Sequence, residues 1–190
     1  MRLTPILAAM HTDDALPDLS AEERAMVLAA RERALDMLQR REPRRDILAQ
    51  LTTAVEALGP GKTVASILVL DRQGLLRNGA SPNLPSDYLD AIDRLQPRAD
   101  VGTCAAAAAT GEAVETPSFL DDARWSGLRH LPLSLGLLGA WSQPIKGADG
   151  RVLGTLGTYF REHRKPTRQE RQAVALLAGV GARVIAESVA

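Results

Sequence analysis

Cys104 is the single cysteine of the chain, and it stands at the head of an alanine-rich run, GTCAAAAAT over 102–110, closed by Gly111. Near the start of a helix, exposed backbone N–H groups and the dipole lower a thiol pKa, which would suit redox sensing or nucleophilic chemistry. The same residue also reads as a small buried side chain in an alanine contact that lets another element approach closely. A nucleophile wants a base, and His130 and His163 are at hand, although no spacing ties either one to Cys104. One cysteine excludes an internal disulfide, and one Cys with three scattered His residues is thin material for a metal site.

A second set is Trp125, Arg129, His130 and Trp141, in which aromatic walls with a cation or imidazole would make a ligand cradle. The alternative is a tryptophan anchoring a loop over a sheet, since large aromatics bury enough surface to need no ligand. Two basic stretches, Arg40, Arg41, Arg44, Arg45 and Arg161, His163, Arg164, Lys165, Arg168, Arg171, are interspersed with acids and lie in no nucleic-acid-reading motif. They read as a solvated face or the rim of a helical interface, so no direct nucleic-acid binding is expected. The glycines of 150–157 lack the spacing of a phosphate loop. Asp13/Asp14 and Asp121/Asp122 have no partners at metal-ligand or hydrolase spacing.

The elements that must position these residues follow from pattern. Residues 1–19 read as a flexible lead-in, 20–42 as an N-terminal helical arm, and 43–190 as the main domain. Asp18 or Ser20 can cap the first helix, with Val27, Leu28, Arg31, Leu35 and Leu38 near one face. Pro43 breaks it, and a second helix runs to about 58 with a clearer stripe of Ile47, Leu48, Leu51, Val55 and Leu58. VASILVL (64–70) is a β-rich run with a turn at Asp71–Gly74. A short helix follows Pro85, with Tyr88, Ile92 and Leu95 as its apolar contacts, and 113–116 suits a short strand. Strands over 137–145 and 151–160 bracket the turn Gly147–Gly150. Thr167 and Glu170 form a capping box for the last helix. Clustered antiparallel hairpins with helices at both ends predict an α+β fold with helices covering one sheet face.

Lys and Arg number 23, and so do Asp and Glu, so no long-range field attracts nucleic acid or anionic lipid. No run approaches 18 apolar residues, and acids follow the short apolar stretch near the start; no membrane span or signal peptide is expected, and the expected location is cytoplasmic.

The phrases ASILVLDRQGLLRNGASPNLPSDYLDAID (65–93), VGTCAAAAATGEAV (101–114), SFLDDARWSGLRHLPLSLGLLGAWSQPI (118–145) and DGRVLGTLGTYFREHRKPTRQE (149–170) resemble, in order and spacing, the GAF domains of bacterial signalling proteins. The resemblance implies a central antiparallel sheet with terminal helices on one face. On the other, the loops and short helices of about 81–136 would enclose a small-molecule pocket. It places Cys104, Trp125, Arg129, His130, Leu138 and Trp141 around that pocket, and implies a homodimer through the N- and C-terminal helices with output through a separate kinase or regulator chain. The ligand and any cofactor stay unnamed. Leu138 and Ala140 stand where this branch usually has Arg and Cys, removing a cation that would neutralise an anionic ligand. GAF enzymes that reduce free methionine sulfoxide use a resolving cysteine, which this chain lacks, so a non-catalytic regulatory role is expected. A protein–protein adaptor with a degenerate pocket is the alternative, and a thiol-dependent sensor or enzyme using Cys104 a more distant one.

Overall fold

The computed structural model describes residues 16–59 and 61–187; most of the expected lead-in, and Asp13/Asp14, lie outside them. Five strands, β1 (Val64–Leu70), β2 (Leu76–Ala80), β3 (Val114–Thr116), β4 (Gly139–Lys146) and β5 (Val152–Phe160), form one sheet in the order β2-β1-β5-β4-β3. Every neighbouring pair is antiparallel. The two hairpins are closed by the turns their sequences predict. Asp71 Oδ1 accepts from the N–H of Gln73 and Leu75 at 2.8 and 3.0 Å, with Gly74 at φ 75°. At the second turn Gly150 takes φ 80°, a left-handed conformation that glycine adopts without steric cost.

Three long helices cover one face: α1 (Ala21–Gln39), α2 (Arg44–Leu58) and the C-terminal α6 (Arg168–Glu187). Ser20 caps α1 in a reciprocal box with Glu23. The buried face of α1 is carried by Val27, Ala30 and Ala34, and not by the larger Leu28, Leu35 and Leu38, which are only partly buried. Alanines at the contact let α1 pack closely on α2 and α6, and its start is tied to α6 through Asp18 and Gln172. Ile47, Leu48, Leu51 and Val55 of α2 enter the same core as predicted. This layer meets Ile67, Trp141, Ile145, Leu156 and Phe160 from the sheet.

The opposite face carries α3 (Ser86–Ala91), α4 (Thr103–Thr110), a 3-10 turn at Ala123–Trp125 and α5 (His130–Ser134). Their core joins Leu68, Leu76, Tyr88, Cys104, Ala105, Phe119, Trp125, Leu137, Ala140 and Tyr159. The molecule is therefore a three-layer α+β structure whose sheet separates two cores. No helix among the described residues is long and apolar enough to cross a membrane.

Candidate functional site

Cys104 and Trp125 fall in the same core, on the face away from the long helices. Gly102 at φ 55° opens α4 and Gly111 at φ 67° closes it, so the alanine run lies as a short, smooth helix on the sheet. Beneath it, a Cβ built on Gly157 of β5 would stand 2.8 Å from Cys104 Sγ and 3.3 Å from Ser66 Oγ. Glycine at that place is what permits the close approach.

The thiol is surrounded by hydroxyls. Burial pushes the Cys104 pKa up, outweighing Ser142, Thr155 and Tyr159, which lie near enough to favour the thiolate. The helix-start position is thus not accompanied by a lowered thiol pKa, because desolvation outweighs the hydroxyls that favour the thiolate. Ser66 Oγ, Ser142 Oγ, Thr155 Oγ1 and Tyr88 Oη are buried without a well-formed hydrogen bond among the described residues, Ser142 and Thr155 being in reach of the thiol and Ser66 and Tyr88 of Tyr159. Tyr88 and Tyr159 meet edge to face at 6.1 Å, and burial raises both phenols above their ordinary value. Sequence reasoning missed this ring of hydroxyls. Its signal was there: Ser66, Ser142 and Thr155 each interrupt a largely apolar strand.

A buried hydroxyl left unsatisfied costs about 1–3 kcal/mol, and a thiol, a weak acceptor, recovers little of it. Ser142→Ala and Thr155→Val should therefore each raise stability, by about 1 kcal/mol, in urea unfolding. A loss in both variants would show that these oxygens are held by ordered partners such as buried water.

A second polar feature anchors the rim. Trp125 Nε1 donates to Thr103 Oγ1 at 2.9 Å, Thr103 donates to Thr116 Oγ1 at 2.9 Å, and Thr116 donates to Asp122 Oδ2 at 2.8 Å. Arg124 closes the chain, donating to both Asp122 oxygens and, through Nη2, to the Glu115 carbonyl at 2.8 Å. Burial would raise the Asp122 pKa, yet the bonds from Arg124 and Thr116 hold it below the usual carboxylate value. This relay latches the 117–125 loop to β3 and to the start of α4, with Phe119 and Trp125 packed ring to ring at 4.4 Å.

The other expected site residues divide. Arg129 donates through Nη1 to the Leu120 carbonyl at 2.9 Å and so fastens the loop. His130 is exposed at the start of α5, and His163 is exposed before α6. Leu138, partly buried, is fixed by its backbone, donating to the Phe160 carbonyl at 2.7 Å and accepting from Phe119 N–H at 2.9 Å. Trp141 lies in the other core, against the long helices, with the Arg171 guanidinium 5.6 Å from its ring. It is not brought together with Cys104 and Trp125; Ala140 and Ser142 on either side of it face them instead. Among the described residues no group of three or more His, Cys, Asp or Glu gathers to hold a metal.

The GAF domain family model (GAF_2) matches residues 42–186, and the chain belongs to that family. A stretch of 139 residues is 34% identical to the methyl sulfide methyltransferase-associated sensor of Methanosarcina acetivorans, covering 71% of this chain and 14% of that protein. The chain thus spans about one-seventh of that relative's length. Among solved structures, the GAF domain of a phosphoenolpyruvate-protein phosphotransferase from Coxiella burnetii aligns with TM-score 0.65 at 16% identity, over 87% of this chain and 94% of that one. Free methionine-R-sulfoxide reductase from Neisseria meningitidis, solved with its substrate, aligns with TM-score 0.66 at 15% identity, over 90% and 94%. At these identities the structural likeness speaks for the fold, which serves binding modules and enzymes alike.

Proposed function

We propose that the chain is a non-catalytic, small-molecule-sensing regulatory domain whose ligand acts on the Cys104 face and whose output leaves through the long helices. The observation that carries this reading is the buried ring of weakly held hydroxyls around Cys104, set on the opposite side of the sheet from α1, α2 and α6. The shared stretch with a protein named as a sensor supports it. So does the thiol's raised pKa, which disfavours chemistry at Cys104.

Strand β4 is the natural coupling element. Ser142 and Ala140 face the site, and Trp141 between them packs under Arg171, which also pairs with Glu115 of β3 at 2.5 Å. A ligand that favours one position of β4 shifts the packing of α6, provided that it binds the two states with different affinity. For output we infer a homodimer through the terminal helices, acting on a separate kinase or regulator chain. A groove of about 370 Å³ between α1 and α2 has a floor of Ala29, Ala30, Ala54 and Ala57 among Met26, Arg33, Gln50 and Thr53, and so offers a place for a partner helix.

Native mass spectrometry of the protein from its own cells, followed by denaturing spectra of the same sample, tests the reading. A dimer carrying a stoichiometric molecule that is lost on denaturation is expected. An adduct retained on Cys104 would establish covalent chemistry instead, and a bare protein whose α6 amide exchange is unmoved by any cell extract would favour the adaptor.

A further inference from the structure

The hydroxyls beneath α4 say more than that something binds. Ser66, Ser142 and Thr155 are fully buried and Tyr88 is 3% exposed; among the described residues Ser142 and Thr155 reach only the Cys104 sulfur, and Ser66 and Tyr88 only Tyr159, with no well-formed bond at any of the four oxygens. Ser66 and Ser142 flank Gly157 on the neighbouring strands, Ser142 and Thr155 lie by the Cys104 sulfur, and Tyr88 stands against Tyr159. The walls around them are Leu68, Leu137, Phe119, Ala140 and the two tyrosines, all apolar in body. The ionised side chains nearest in the structure's polar relay, Asp122 and Arg124, are taken up by each other and by Thr116.

A charged guest here would shed its hydration without gaining a counter-ion, at a cost of several kcal/mol. A hydroxyl, by contrast, both donates and accepts, so three of them can satisfy an amide, an alcohol or a ring nitrogen on an uncharged molecule. The space is closed as it stands, since even a methyl group on Gly157 would meet the sulfur at 2.8 Å. Seating a guest requires α4 to give way. Thr103, its first residue, is held in the relay, so the movement falls on the turns beyond, whose buried surface is Cys104 and alanines and exposes less apolar area than a helix of large side chains would.

We propose, resting on the sensor reading above, that the ligand is a small uncharged molecule with at least two hydrogen-bonding groups. It seats on Ser66, Ser142 and Thr155 in a site that opens by outward movement of α4. Cys104 is then the residue that reports opening: it reacts with an alkylating reagent only in the displaced state, and a seated ligand shields it.

The test uses the full chain and three pairs of probes, each a neutral molecule and an anionic relative: nicotinamide and nicotinate, glucose and glucose 6-phosphate, adenosine and adenosine monophosphate. Alkylation of Cys104 by N-ethylmaleimide is followed by mass spectrometry at millimolar probe, with ligand-observed NMR for affinity. At least one neutral member should slow alkylation where its anionic mate does not, and Thr155→Val should weaken that binding by about tenfold, the value of one hydrogen bond. Protection by anionic members alone overturns the inference and leaves the sensor reading standing. Neutral binding unaffected by both Thr155→Val and Ser142→Ala overturns the seat, and protection by none of the six overturns the ligand class. The sensor reading is judged separately, by whether the native protein carries a bound molecule.

Discussion

Arg164→Ala should cost the protein about 3 kcal/mol of stability, most of it from the carboxylate left behind. Arg164 makes two parallel bonds of 2.7 Å to Glu170 while its guanidinium lies 3.6 Å over the Phe160 ring. Only 16% of the Arg164 side chain and 8% of the Glu170 side chain are exposed. Glu170 also accepts from Thr167 N–H at 2.7 Å, so one carboxylate caps α6 and joins it to the end of β5. Burial pushes the Glu170 pKa up, but Arg164 and the Thr167 N–H more than offset it and hold the group below its ordinary 4.5. The sign follows from that lowering. The pair's contribution is complete above the unfolded value and is lost as pH falls through the folded one. Without Arg164 burial acts with less opposition, the folded pKa rises, and protonation relieves the variant. The deficit in urea unfolding should thus be largest near neutral pH and narrow on acidification through the carboxylate range. A deficit that is the same at every pH would mean that Arg164 acts by packing on Phe160 alone.

Gly154→Ala is expected to be at least as damaging, by about 3 kcal/mol or more, through overpacking. A Cβ at this position would stand 2.2 Å from the Leu68 carbonyl oxygen and 3.1 Å from Val69 Cα. Both are backbone atoms of the neighbouring strand, which no rotamer change can move, and Gly154 is paired with Val69 on one side and Ile145 on the other. Relief would require β1 and β5 to separate in the middle of the sheet. Gly179→Ala is the informative comparison, because that glycine is exposed in α6 with nothing within 4 Å of the added carbon. It should stabilise the helix by roughly 0.5–1 kcal/mol, so the two changes should move the urea midpoint in opposite directions.

Local chemistry made much of the fold legible. The Ser20–Glu23 and Thr167–Glu170 boxes, the Asp71–Gly74 and Gly147–Gly150 turns and the stripe of α2 are each written within a few residues, and each formed. The buried face of α1 was harder to read, because alanines at a close helix contact carry little hydrophobic signal beside partly buried leucines. The site was least legible. All of Gly139, Ala140, Trp141 and Ser142 are buried, so alternation could not say which of them faced which layer. The family resemblance put Trp141 around the pocket, whereas the fold gives it to the helices. The Thr103–Thr116–Asp122 relay joins positions that only the β3–β4 pairing and the loop bring together, and no spacing in the chain announces it.

The division of the sheet into two cores gives each side its own optical probe. The chain has only two tryptophans, one in each core. Trp125, its indole N–H bound to Thr103, emits from the ligand side, while Trp141, under the Arg171 cation, emits from the helical side. Trp125→Phe and Trp141→Phe therefore yield two single-colour proteins, in which the loosening of one layer can be timed against the other during a single unfolding or ligand-mixing experiment.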